Sequence, residues 1–212
     1  MDLYGERRIE KANVLMSDKM INDEALDLIF REARTRNGWE ERDVTNTLIQ
    51  AVYDLMKWGS TSANCSPARF VFVTSNEAKA RLKPHLMEGN QEKTMTAPCC
   101  VVIGHDMAFH EKLPMLFPHA DAKSWFEGND PLIAETAFRN GTLQGAYFMI
   151  AARALGLDCG PMSGFDQDGV NKEFFGGTSY KANFLCNIGY GTDKDLFERS
   201  PRLSFDEACQ IL

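Results

Sequence analysis

The sequence predicts an α+β fold, a sandwich in which helices pack around a central sheet. Three observations predict it. Helix-like segments outnumber strand-like runs, and the strand-like runs lie far apart along the chain. The chain has 212 residues, 44% of them hydrophobic, which suits one domain with a sizeable core. No internal repeat or low-complexity linker divides it, so residues 1–212 read as a single domain.

Each element follows from its local pattern. Asn22 can cap a helix running through Phe30, with Ala25, Leu26, Leu28 and Ile29 as its apolar positions. Asp43 is expected to open a second helix, because Val44, Leu48, Val52, Leu55 and Met56 share one face at helical spacing. Gly59 should end it. Arg69 to Val73 is strand-like, rich in aromatic and β-branched residues. Thr74-Ser75-Asn76-Glu77 resembles a capping box for a helix toward Leu86. Cys99 to Ile103 is a second apolar strand. Pro131 to Leu155 reads as one long helix stopped by Gly156. Its second half, LQGAYFMIAARAL, is apolar almost all round, which places it at the centre of the fold or at a subunit interface. Phe184 to Ile188 is a third strand, ended by Gly189, and Ser204-Phe205-Asp206-Glu207 is a second capping box.

Composition excludes several functions. Thirty acidic residues against 23 basic ones leave a formal charge of -7, which argues against a nucleic-acid or anionic-membrane partner. No apolar run approaches the roughly 20 residues of a membrane helix. The opening MDLYGERRIEKANV lacks the apolar centre of a signal peptide. Of the six cysteines, most sit in apolar runs such as CCVVIG and FLCNIG. They read as small buried hydrophobes rather than a disulfide framework, and a cytoplasmic protein is expected.

The most informative segment for chemistry is Gly59 to Thr74, GSTSANCSPARFVFVT. Its small polar side chains allow close backbone approach to a ligand and offer donors to phosphate or carbonyl oxygens. A nucleophile elbow, a P-loop and a dinucleotide fingerprint are all missing. His105, Asp106, His110 and His119 fit no metal-ligand spacing and read as solvated loop positions. Cys65 has no basic neighbour in sequence to activate it. Without a nucleophile, metal or acid–base pair, an enzyme of this kind would run on a borrowed cofactor. Three arginines and a threonine fall within Arg31 to Arg36. They suit a phosphate, and they equally suit a solvated helix end.

Several segments, taken in order, resemble the FMN-dependent nitroreductases over about residues 25 to 212. Arg34-Thr35-Arg36-Asn37-Gly38-Trp39 is similar to an early basic segment ending in an aromatic. Ser60 to Phe70 matches a Ser- and Asn-bearing loop that leads into a strand. Asn90 and Lys93 precede the apolar strand at Cys99. Ala152 to Leu157 matches the end of a long hydrophobic helix, and Pro161-Met162-Ser163-Gly164-Phe165 the turn after it. Gly189-Tyr190 and Arg202-Leu203 complete the series. The loop lacks the Gln and Trp of many members, and Ser163 stands where many have Glu. The ARTxNGW segment and the PMSGFD turn resemble the malonic semialdehyde reductase subfamily of bacterial pyrimidine catabolism.

The resemblance implies a sandwich with a mainly antiparallel sheet, a homodimer with FMN at the interface, and NADH or NADPH as reductant. It places Arg34, Thr35 and Arg36 at the FMN phosphate, with Arg202 closing from the C-terminal segment. Thr61, Ser62 and Asn64 would contact the cofactor across the subunit interface. Asn90 and Lys93 would reach the pyrimidine and ribityl parts. The backbone of Pro161, Met162, Ser163 and Gly164 would run beside the reactive nitrogen. Guanidinium and hydroxyl donors suit a phosphate, an amide suits the mixed pyrimidine edge, and a lysine stabilises charge on reduced flavin. A glycine at 164 permits close approach. Each also has a plain structural role: Asn90 as a cap, Lys93 as a solvated cation, 161–164 as a turn. The expected reaction is ping-pong hydride exchange at one shared site, with a small molecule as acceptor. That acceptor is 3-oxopropanoate in the subfamily reading, or a nitro compound, quinone or enone in a broader one. A flavin-binding protein without turnover and a thiol enzyme using Cys65 are the other classes.

Overall fold

The apolar runs become the inner strands of an antiparallel sheet. The computed structural model describes residues 20–212, so the leader-free reading of MDLYGERRIEKANV lies outside the described residues. In chain order the elements are α1 (Asp23–Leu26), β1 (Gly38–Trp39), α2 (Asn46–Met56), β2 (Ala68–Val73), α3 (Asn76–Leu82), α4 (Glu88–Thr96) and β3 (Cys99–Asp106). Then follow α5 (Leu113–Leu116), α6 (Asp130–Ala154), β4 (Asp158–Met162), α7 (Gln167–Phe174), β5 (Tyr180–Gly189), β6 (Gly191–Thr192) and α8 (Phe205–Ala208). The main sheet has the order β2-β3-β5-β4, every neighbour antiparallel, and β1 pairs with β6 as a separate ribbon.

Both faces of the sheet are covered, which is why β3 reads as an unbroken apolar run. Along it Cys99, Val101 and Ile103 point to one face and Cys100 and Val102 to the other. Val52 and Met56 of α2, with Phe148, Ala151 and Ala152 of α6, pack on the first face. Leu82, Leu86, Val170 and Phe175 cover the second. Each fully buried Val, Leu, Ile or Phe here contributes about 1.5–3 kcal/mol relative to exposure. The helix α6 lies close to the sheet because Gly145 has no side chain: a Cβ there would stand 2.6 Å from the Phe184 ring. Among the described residues, no helix is long and apolar enough to cross a membrane.

Several local expectations change. The cap of α2 is Thr45, not Asp43: its side chain accepts from the Leu48 N–H at 3.2 Å. Val44, just before the cap, joins the same apolar cluster as Ile49, the arrangement of a hydrophobic staple. Gly59 is no left-handed stop, since α2 already ends at Met56; it is needed for space, its Cβ position being 2.1 Å from the Tyr147 ring. Ser75 rather than Thr74 caps α3, accepting from the Ala78 N–H at 3.1 Å. That helix stops at Leu82 and tightens into a short turn over Lys83–His85, where Pro84 disfavours continuation. Pro161 and Met162, read as part of a turn, belong to the edge strand β4, where a proline's missing N–H is tolerated. His105 is not a solvated loop residue. It lies on β3, buried against Phe138, and burial pushes its pKa down. Asp106 is buried too. By contrast Asn22 caps α1, Gly156 ends α6 in a left-handed conformation, and Ser204 and Glu207 form the capping box of α8.

Candidate functional site

Four segments converge beside the free edge of β4. Thr35 pairs with Cys159 in a parallel bridge, and the Arg36 N–H donates to the Cys159 carbonyl at 3.1 Å. The segment 34–37 therefore runs along β4. Residues 192–199 cross over it. Arg36 donates to Thr192 O at 3.2 Å and to Asp193 at 2.5 Å, and stands 3.6 Å from Asp158. Asn37 donates to Asp195 O at 2.9 Å, Arg199 donates to Ala33 O at 3.2 Å, and Arg34 donates to the Phe197 carbonyl.

The helix α4 contributes Asn90 and Lys93, one turn apart on the same face. Lys93 Nζ donates to Asn37 Oδ1 at 3.3 Å, while its carbonyl accepts from the Trp39 indole N–H at 2.9 Å. Burial pushes the Lys93 pKa down, with no carboxylate opposing the shift. Asn90 Nδ2 donates to Gly164 O at 2.8 Å. A cavity of about 420 Å³ opens here, lined by Asn37, Trp39, Gly89, Lys93, Lys194 and Phe197 among others. Of the segment after Asp158, Pro161 is half-buried, Ser163 is exposed and Gly164 is half-buried. Met162 is buried and takes a weak hydrogen bond from the Thr94 hydroxyl at 3.6 Å, so its side chain belongs to the core. Arg202 is exposed and bonds the carbonyls of Ser200 and Pro201, at 2.9 and 3.1 Å; the structure does not bring it to Arg34.

Thr61, Ser62 and Asn64 sit elsewhere, in the loop between α2 and β2. Ser62–Asn64 forms a single tight turn, and Ala63, Asn64 and Ser66 have φ of 47°, 49° and 40°. Non-glycine residues pay roughly 1–2 kcal/mol each for that left-handed region. Thr61 Oγ1 accepts from the Ser66 N–H at 3.2 Å, and Asn64 Nδ2 donates to Leu116 O at 2.8 Å. Cys65 is buried beneath the loop and its thiol is pushed up to about 11 by burial, the opposite of an activated nucleophile. A second cavity, about 670 Å³, lies at this end of the sheet, lined by Met107, His110, Phe126, Ile133 and Lys181 among others. Among the described residues, no three His, Cys, Asp or Glu side chains converge to hold a metal.

The two groups occupy diagonal corners of the sheet. β3 and β5 lie between β2 and β4, which puts those edges about 14 Å apart. Ala68 is level with His105, whereas Cys159 is level, through Ile188, with Cys99 at the other end of β3, about 20 Å away. One chain does not unite them.

Comparison with known proteins identifies the architecture. The model of the nitroreductase family matches residues 16–190. The chain belongs to the nitroreductase family. The family consists of flavin-dependent oxidoreductases that use FMN. A relative from Stenotrophomonas maltophilia strain R551-3, provisionally named NADH dehydrogenase/NAD(P)H nitroreductase, is 63% identical over 187 residues, 88% of this chain and 95% of its own length. One from Burkholderia lata with the same provisional name is 61% identical over 191 residues, covering 90% of this chain and 98% of that one. A crystal structure from Exiguobacterium sibiricum, a provisionally named nitroreductase in complex with FMN, superposes with a TM-score of 0.79. At 18% identity, it covers 92% of this chain and 100% of that chain, and shows the shared fold.

Within this nitroreductase the structure also reveals polar residues that pattern reading passed over. Asn140 and Gln144 are buried on α6, Gln144 within the Leu143–Leu155 half expected to be apolar almost all round and Asn140 just before it. Asp106 accepts from Arg69 at 2.6 Å, from the Ser179 hydroxyl at 2.6 Å and from the Ala108 N–H at 2.8 Å. Asn37 links Lys93 to the crossing segment. The available signal was the presence of amides inside an apolar helix, because buried polar groups need partners.

Proposed function

We propose that this chain is an FMN-dependent NAD(P)H oxidoreductase whose cofactor lies between two copies of the chain. The observation that carries the reading is Lys93. It is a half-buried cation whose ammonium meets a neutral amide oxygen, on the wall of a cavity that Asn37, Lys194 and the exposed carboxylates of Glu92 and Asp195 also line, with Asn90 one turn away on the same helix. That donor set fits FMN: cations and a hydroxyl for phosphate, an amide for the pyrimidine edge, and a lysine for the charge of the reduced ring. The diagonal separation of the Thr61–Asn64 loop supports a homodimer, since only a second copy would bring its loop to this corner.

The chemistry that FMN would supply here is hydride exchange between NADH or NADPH and an acceptor bound in the same place. Arg34 and Thr35 are assigned to the phosphate, with Arg34 exchanging its carbonyl partner Phe197 for a phosphate oxygen. Arg36, already held by Asp158 and Asp193, fixes the segment on which they stand. Arg202 joins them through movement of the exposed tail. Asn90 orients the pyrimidine edge, Lys93 stabilises negative charge beside it, and the Pro161–Gly164 backbone, with Met162 anchored in the core, walls the ring. Thr61, Ser62 and Asn64 reach over from the partner.

For the acceptor we propose 3-oxopropanoate, on the resemblance of Arg34–Trp39 and Pro161–Asp166. The relatives' names favour a second reading, reduction of nitro compounds. A cytoplasmic location accords with a reduced nicotinamide as reductant. The test is anaerobic mixing of the purified yellow protein with NADH or NADPH alone, which should bleach the flavin absorbance. Persistent oxidised flavin overturns the reading. Adding 3-oxopropanoate, a nitroaromatic, a quinone and an enone to the bleached protein then ranks the acceptors by the rate of colour return.

A further inference from the structure

The loop bearing Thr61, Ser62 and Asn64 is held by one face of α6. Asn140 Oδ1 accepts from the Ser62 N–H at 2.9 Å, Gln144 Oε1 accepts from the Ala68 N–H at 2.8 Å, and the Tyr147 hydroxyl donates to Ser60 O at 3.0 Å. Residues 140, 144 and 147 lie on one helical face, so they form a ladder that grips the loop before, within and after its turn. Asn140 is fully buried, and its amide nitrogen is committed to Thr136 O at 2.9 Å, which turns the oxygen toward Ser62. Gln144 is buried as well.

The loop needs such a grip. Three of its non-glycine residues are left-handed, a conformation that persists only where the surroundings enforce it. On the other side Arg69 donates to Ser66 O at 3.1 Å and Ala68 O at 2.8 Å while paired with Asp106. The strained turn is thus clamped from helix and sheet together, and Ser62 and Asn64 are left exposed, with the Asn64 amide tied to Leu116 O.

We propose that Asn140 and Gln144 are positioning residues: they set the Thr61–Ser66 turn so that its exposed residues meet the cofactor held by the second copy. The proposal rests on the FMN reading given above. Asn140 and Gln144 touch no ligand; they act through the backbone N–H groups of Ser62 and Ala68.

The experiment compares wild type, Asn140→Leu, Gln144→Met and Thr142→Ala. Thr142 lies on the same helix but bonds Phe138 O and Asn183, away from the loop. FMN affinity is read by quenching of flavin fluorescence, and amide hydrogen exchange is read on the apo-protein. Removing the acceptor that fixes a loop N–H is expected to weaken FMN binding about ten-fold in each ladder variant, with Thr142→Ala within about two-fold of wild type. Exchange should quicken at Ser62 and Ala68 but not along Phe70–Val73. A folded Asn140→Leu protein with wild-type FMN affinity and slow loop exchange overturns the proposal. So does weakened binding accompanied by faster exchange across the whole sheet, which marks a merely structural role. If Asn140→Leu does not fold, Gln144→Met is judged by the same criteria. If wild type binds no FMN, the functional reading falls, and loop-confined exchange alone decides whether the ladder holds the turn.

Discussion

Asn90 and Gly164 are joined by a 2.8 Å hydrogen bond from the side-chain amide to the carbonyl, tying α4 to the segment that leaves β4. The contact is tight. A Cβ at Gly164 would stand 2.6 Å from Asn90 Nδ2 and 3.1 Å from Met87 Sδ. Gly164→Ala should therefore cost about 0.5–1.5 kcal/mol in urea unfolding, because the Asn90 amide must swing off its carbonyl partner to make room. Asn90→Ala should also cost about 0.5–1.5 kcal/mol, because the Met87 N–H still donates to Gly164 O at 3.1 Å. The double variant should be more stable than the sum of the two, since removing the amide relieves the clash. Strict additivity would show that the two residues do not press on one another.

The pair Arg69–Asp106 closes the loop side of the sheet, with Asp106 buried and Arg69 about a quarter exposed. Asp106→Asn keeps oxygen and shape but leaves the guanidinium without its counter-charge. A loss of about 2 kcal/mol is expected, below the usual cost of breaking a fully buried pair because Arg69 reaches water. Chemical denaturation measures it. An unchanged midpoint would mean that the pair contributes nothing net.

Burial raises the thiols of Cys99, to about 12, and Cys65, to about 11, from an ordinary value near 9. Between those limits the unfolded chain has lost a proton that the folded chain keeps. Stability is therefore fully present below about pH 9 and is lost as pH rises toward 11 and 12. For Cys99, fully buried, the slope is about 1.4 kcal/mol per pH unit. Urea midpoints of wild type and Cys99→Ala, compared at about pH 8 and pH 10.5, should converge as pH rises; parallel declines would contradict the linkage. At neutral pH a thiol reagent should label exposed Cys209 and spare Cys65, and Cys65→Ala should retain NAD(P)H oxidation within about two-fold.

The composite site can be tested by complementation. A protein carrying Arg34→Ala and one carrying Ser62→Ala with Asn64→Ala should each bind FMN poorly. Subunit exchange between them should restore binding, because each mixed dimer would hold one site with an intact basic segment and an intact loop. No recovery after verified exchange would place all the cofactor contacts within a single chain.

Much of the fold was legible from local pattern. Strands β2, β3 and β5, the long α6, and the caps Asn22 and Ser204 all announce themselves through β-branched runs, helical spacing and side chains that bond residues three positions on. These are short-range effects, and neighbouring residues are enough to state them. The candidate residues Arg34, Asn90, Lys93 and Gly164 were named through the resemblance to the FMN-dependent nitroreductases, and their residue types agree with the roles proposed for them.

Folding settled what depends on residues distant in sequence. Pro161 and Met162 are strand because β5 offers an edge to pair with. His105 is buried because Gly141 lets α6 approach β3, where a Cβ would stand 2.8 Å from the His105 side chain. Asn140 and Gln144 look like polar interruptions in an apolar helix until the Thr61–Ser66 turn folds onto them. The same assembly sends the Thr61–Asn64 loop and the Arg34–Lys93 cluster to opposite corners, through strand order and register that no single segment encodes. Hydrogen bonds and packing across long sequence separations make those choices, and they exist only once the chain has folded.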